Sequence, residues 1–183
     1  MSQTLRITGL AGSLRAASYS RVVLETIAEM LPDGSRFEAI DIGSLPHYNE
    51  DLERAVLPDT VTYGREMVAA SDAVLIVTPE FNHGIPGVLK NSLDWLSRPA
   101  FESCLIAKPV LFATLSPGAL GGVRAQSQLR ETLASMLCKL APLQEIAITH
   151  VGGKIAHDRL VDAPTLKHIQ SVLQRFLSTI VRA

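Results

Sequence analysis

A three-layer α/β sandwich built on a five-stranded parallel sheet is the fold class predicted for this chain of 183 residues. Three observations carry that expectation. Short apolar runs alternate with amphipathic stretches five times, the pattern of repeated β-α units with right-handed crossovers. The run Ala73-Val74-Leu75-Ile76-Val77 is continuously apolar, as a strand covered on both faces requires. Segments rich in Gly, Pro and Ser follow the first, third and fourth of these runs, so the irregular backbone gathers at one edge of the sheet.

Taken in order, Leu5 to Leu10 reads as strand one. Val23, Ile27, Met30 and Leu31 recur at helical spacing and give helix one, which Pro32-Asp33-Gly34 stops. Phe37 to Asp41 is strand two, and Ile42 to Glu53 a polar loop. A weak helix spans about Asp59 to Ala70, with Met67 and Val68 inward. Strand three is Ala73 to Thr78, and helix three begins near Pro86, where a missing N–H is harmless. Pro109 to Leu115 is strand four. Leu129, Leu133, Met136, Leu137 and Leu140 mark helix four. Glu145 to Thr149 alternates and should be an edge strand. A loop from Gly152 to Asp162 leads to a final helix carrying Leu166, Ile169, Leu173, Phe176, Leu177 and Ile180. With no repeat, low-complexity tract or linker, residues 1–183 read as one domain. Five strands at this length suit the flavodoxin-like order 2-1-3-4-5, whose switch point between strands one and three is a ligand site.

Bulk properties narrow the function. Apolar residues make up 47% and charged residues 19%, which excludes a disordered chain. A formal net charge of −1 speaks against nucleic acid as a partner and against a carrier that docks through a strong one-sign field. No apolar run reaches membrane-spanning length. Met1 to Arg6 lead straight into a strand pattern without a signal-peptide layout, and Cys104 and Cys138 form no CxxC. A cytoplasmic protein with two ordinary thiols is the expectation. The five histidines are scattered without metal-ligand spacing, so no metal site is expected.

The loop after strand one places Ser13, Arg15, Ser18, Ser20 and Arg21 around a helix start. Unpaired helix N–H groups, hydroxyls and a guanidinium suit a phosphomonoester. The glycines that a pyrophosphate demands are missing: Gly12 stands without GxGxxG, and no GxxxxGK[ST] occurs. The tightly held ligand is therefore expected to be a mononucleotide such as FMN. A plain helix cap at Ser18 or Ser20 is the other reading. The loop after strand three, Pro79-Glu80-Phe81-Asn82-His83-Gly84, is stiff and irregular. Its amides from Glu80 to Gly84, with the Asn82 side chain, can serve the donor and acceptor edge of an isoalloxazine; a simple strand-to-helix connector is the alternative. His83 reads either as a ring or substrate contact or as loop structure. Trp95 reads as core or interface.

Gly12-Ser13-Leu14-Arg15-x-x-Ser18 and Pro79-Glu80-Phe81-Asn82-x-x-x-Pro86-Gly87-x-Leu89-Lys90-Asn91-x-x-Asp94-Trp95 together resemble the NADPH-dependent FMN reductases, which include bacterial chromate and quinone reductases and small azoreductases. Leu45-Pro46-x-Tyr48-Asn49-x-Asp51-Leu52-Glu53 is similar to that family's polar loop. The resemblance runs from strand one to about Arg130. It implies noncovalent FMN, with electrons passing from NADPH or NADH through the flavin to quinone, azo, chromate or free-flavin acceptors. By position it puts Ser13, Arg15, Ser18 and Ser20 on the phosphate, Pro79 to Gly84 on the ring, and Ser116 and Gly118 at the ring's other edge. It implies a homodimer or homotetramer. No side chain is assigned to the hydride step, which the cofactors carry. Two departures stand out: Ser20 where the family usually has Asn, and Phe81 where it usually has Tyr. A flavodoxin-like electron carrier without enzymatic activity, and a cofactor-free binding protein, are the rival expectations.

Overall fold

The computed structural model describes residues 4–180; Met1 to Gln3, part of the N-terminal reading, lie outside them. The elements are β1 (Arg6–Ala11), α1 (Tyr19–Ala28), β2 (Arg36–Ala39), α2 (Glu50–Ala55), α3 (Asp59–Ala70), β3 (Ala73–Pro79), α4 (Gly87–Leu96), β4 (Val110–Leu115), α5 (Val123–Ser135), β5 (Ile146–Ile148), β6 (Ile155–Ala156), β7 (Arg159–Leu160) and α6 (Ala163–Ile180). The main sheet is parallel in the order β2-β1-β3-β4-β5, as expected. β4 is buried at every residue and β3 at all but Pro79, because helices cover both faces. The edge strand β2 is exposed along most of its length.

Two apolar clusters fill the layers. On one face Val23, Leu24 and Ile27 of α1 and Ile169, Leu173 and Phe176 of α6 pack on Ile7, Leu75 and Val77. On the other, Val68 of α3, Leu89 and Leu93 of α4 and Leu129 and Leu133 of α5 pack on Leu10, Val74 and Ile76. Trp95 is wholly buried, and its indole N–H donates to the Pro46 carbonyl at 2.7 Å. Asn91 Nδ2 donates to the same carbonyl at 2.9 Å, and Asn91 Oδ1 accepts from the Tyr48 amide at 2.7 Å. The Asn91-x-x-Asp94-Trp95 motif thus pins the segment after β2 to α4.

The structure corrects four sequence boundaries. The polar loop holds a turn of 3-10 helix at Ile42–Ser44 and the helix α2. Asn49 caps α2, accepting from the Asp51 amide at 2.9 Å, and three acidic residues sit in its first turn, where the helix dipole favours them. α2 buries no residue, so hydrophobic periodicity gives no sign of it. α5 ends at Ser135 although apolar spacing continues to Leu140. Leu137 takes a φ of 60° and the chain turns back, yet Met136 and Leu140 still pack on the same cluster as α5. Met30 and Leu31 likewise pack beyond the end of α1. In both places the periodicity marked packing rather than helix. The loop from Gly152 contains the hairpin β6–β7, turned by His157 and Asp158 at φ of 49° and 55°.

Candidate functional site

Three loops meet at the carboxyl edge of β1, β3 and β4. Gly12 joins the first two: its amide donates to the Val77 carbonyl at 2.8 Å, and a Cβ there would lie 2.3 Å from Thr78 Oγ1. Only glycine lets the β1 loop lie so close to the end of β3.

The first loop carries the expected donors in distinct roles. Ser18 is the N-cap of α1 and its Oγ accepts from the Ser20 amide at 3.2 Å, so its capping role is real. Ser20 is buried, and its Oγ has no hydrogen-bond partner among the described residues. A buried hydroxyl without a partner costs about 1–3 kcal/mol, and such a group calls for an explanation such as a ligand. Ser13 is half-buried, and its Oγ accepts weakly from the Arg15 amide at 3.4 Å. Arg15 is exposed and lies over the Tyr19 ring, 5.2 Å from the centroid. The first turn of α1 has no acidic residue, so nothing there opposes an anion. Arg21 lines a cavity between α1 and β2 together with Ser13 and Asp41.

The loop after β3 is a tight turn. Phe81 and Gly84 exchange both backbone hydrogen bonds at 2.9 Å. Asn82 and His83 at its tip have φ of 48° and 66°, the geometry of a two-residue I′ turn. The expectation of a free row of amides from Glu80 to Gly84 is therefore corrected: those of Phe81 and Gly84 serve the turn itself. The Glu80 carboxylate also has structural work. It accepts from the Arg124 and Ala125 amides at 3.0 and 3.2 Å, capping α5, and lies 3.6 Å from the Arg124 guanidinium. Its negative charge is thereby turned onto α5. Gln128 completes this support by accepting from the Ile85 amide at 2.7 Å. Phe81, Asn82 and His83 are exposed.

In the third loop, Ser116 Oγ accepts from the Gly118 amide at 3.1 Å. Gly121 and Gly122 are left-handed, and a Cβ on Gly121 would sit 2.8 Å from the Ala147 carbonyl carbon. Sequence reasoning missed a fourth segment. The turn after β5 donates from His150 to Gly118 and from Val151 to Ser116, at 3.0 and 3.1 Å. No motif marks it, because its role lies in backbone contacts. A cavity of about 530 Å³ lined by Arg6, Arg36, Glu38 and Tyr63 lies at the amino ends of β1 and β2, the opposite edge from these loops. Open α/β sheets bind ligands at the carboxyl edge, so it is not the candidate site.

Comparisons with known proteins agree with this geometry. Residues 5–152 match the NADPH-dependent FMN reductase family. A quinone reductase of Pseudomonas putida is 35% identical over 178 residues, covering 97% of this chain and 96% of that protein. An NAD(P)H-dependent FMN reductase of Pseudomonas aeruginosa is 37% identical over 175 residues, 95% of this chain and 94% of its own. The structure of FerB, a flavoenzyme NAD(P)H:(acceptor) oxidoreductase from Paracoccus denitrificans, superposes with a TM-score of 0.89 at 30% identity and 98% coverage of both chains. Fold, loops and relatives converge: the chain belongs to the NADPH-dependent FMN reductase family and is an NAD(P)H-dependent oxidoreductase that uses FMN.

Proposed function

We propose that the three loops form one FMN site serving a quinone-type reductase. The observation that carries it is the buried, unpartnered Ser20 Oγ beside an acid-free helix N-terminus. Ser13, Ser18, Ser20 and Arg15 hold the phosphate, with the amides of α1. Pro79, the Asn82 and His83 segment and the Ser116–Gly118 turn border the ring. Arg15 leaves the Tyr19 face to reach the phosphate, and Phe81 shapes the acceptor side. Bound FMN supplies hydride acceptance and electron release, so no side chain need act as acid or base in that step. Glu80, tied to α5, keeps its charge out of the ring pocket.

The relatives' names support quinone and flavin acceptors; azo and chromate acceptors are extensions of the same reading. Residues 1–183 act as a single reductase domain, and the protein works in the cytoplasm. Leu14, Phe81 and Leu120, on the three loops, are exposed by 56%, 60% and 53%, which favours cover by a second copy in a homodimer or homotetramer. No helix among the described residues is long and apolar enough to cross a membrane.

The test is direct. Purified protein should be yellow, release FMN on denaturation, bleach anaerobically with NADH or NADPH, and recover its colour with a quinone. A colourless protein that binds no added FMN refutes the reading.

A further inference from the structure

The cavity that receives Arg21 lies beside the phosphate loop, on the side away from the ring loop. It opens between α1 and the end of β2, and its volume is about 420 Å³. That falls within the range of small-ligand pockets, about 300–1,000 Å³. Leu24 and Phe37 give it apolar walls, while Arg21, Glu25 and Asp41 give it charged ones. Ser13 and Leu14 also line it, so the cavity is continuous with the loop assigned to the FMN phosphate.

An apolar wall for a flat base and carboxylates for hydroxyls make a nucleoside site. Asp41 follows the end of β2, on the far side of β1 from β3. One of its oxygens accepts from the Gly43 amide at 3.1 Å, and a carboxylate has further acceptor capacity. In the dinucleotide-binding doubly wound sheets an acid about 20 residues past the glycine-rich turn accepts from the ribose 2′-hydroxyl of NAD. The strand-one loop of this chain lacks the glycines that seat a pyrophosphate there, so only the nucleoside end has a place on this side. Two carboxylates against one guanidinium make the cavity unsuited to an isolated phosphate.

We propose that this cavity holds the adenosine portion of NADH, with Asp41 accepting hydrogen bonds from its ribose and disfavouring the 2′-phosphate of NADPH. The proposal rests on the flavin reductase reading above. It gives the donor a second anchor outside the flavin ring, and it separates donor recognition from acceptor recognition.

The experiment uses FMN-loaded protein, two variants and two donors. Ala39→Phe fills the cavity from an exposed position on β2, and Asp41→Ala removes the acceptor. Each should raise the KM for NADH about tenfold, the value of one charge-assisted hydrogen bond or of comparable lost contact. Each should leave kcat, the quinone KM and the KM for reduced nicotinamide mononucleotide, which lacks adenosine, unchanged. Saturation-transfer NMR should show adenosine monophosphate contacting the FMN-loaded wild type and losing that contact in Ala39→Phe. The proposal is overturned if the monophosphate contact survives in Ala39→Phe, or if the two donors' KM values move together. A protein that retains no flavin, or that neither donor reduces, refutes the reductase reading instead.

Discussion

At Ser20 a trade of stability for binding is open to direct test. Its hydroxyl is buried without a partner, so Ser20→Ala should leave the apoprotein as stable as wild type or more so. The same change should weaken FMN by about 0.5–1.5 kcal/mol, the net value of a neutral hydrogen bond. Calorimetric titration of FMN, with urea unfolding of the apoprotein, checks both signs; a loss in both would make Ser20 purely structural. Arg15→Ala should weaken FMN more, by about 1.5–3 kcal/mol, because its bond is charge-assisted. Unchanged affinity would leave Arg15 on the Tyr19 ring. Motif spacing singled out both residues. Arg21, their neighbour in sequence, lines a cavity between α1 and β2 that Ser13 also lines. Position along a chain does not specify which side of a helix a residue occupies until the helix is docked.

Among the elements, α5 and α6 begin on acidic caps of different kinds. Glu80 reaches α5 from a loop 44 residues earlier in the chain. Glu80→Ala should cost about 1–2 kcal/mol in stability, as the loss of a helix cap does, and should loosen the ring loop through the same bonds. Denaturant midpoints measure the first effect and FMN affinity the second. Asp162 caps α6 locally. The Thr165 hydroxyl and then the Thr165 amide hold its carboxyl below the ordinary value of 3.8. A folded-state value below the unfolded one adds stability above the unfolded value and loses it as pH falls toward the folded one. Asp162→Asn keeps a capping oxygen and should flatten this part of the acid limb. Urea midpoints between about pH 5 and pH 3 would show it, and parallel wild-type and variant curves would contradict it. The Asp162 cap is adjacent to its helix and can be read from local sequence. The Glu80 cap cannot, because its partners come together only across the sheet.

Across the molecule, the two thiols report on packing. Burial pushes Cys138 up to about 12 and also raises Cys104, so neither is a thiolate near neutrality. Native protein should react slowly with a thiol reagent at pH 8 and quickly in urea; equal rates would mean that the α5 region opens freely. The ordering of the sheet was legible from the five β-α units and their flavodoxin-like pattern; the continuous apolar runs of β3 and β4 mark central strands, and turn-rich segments mark the loop edge. Less visible were α2, which buries no residue and so shows no apolar period, and the end of α5, where packing outlasts helix. By itself the sequence determined the parallel α/β class and the two loops at the switch point, because burial and loop chemistry are local properties of composition and spacing; the strand order followed from the fold-level pattern of five β-α units. Tertiary structure alone decided that Glu80 serves α5, that His150 and Val151 donate to the loop after β4, and that Arg21 faces a second cavity. Those assignments depend on which groups meet across the sheet, and hydrogen bonds are chosen by distance in space rather than by distance along the chain.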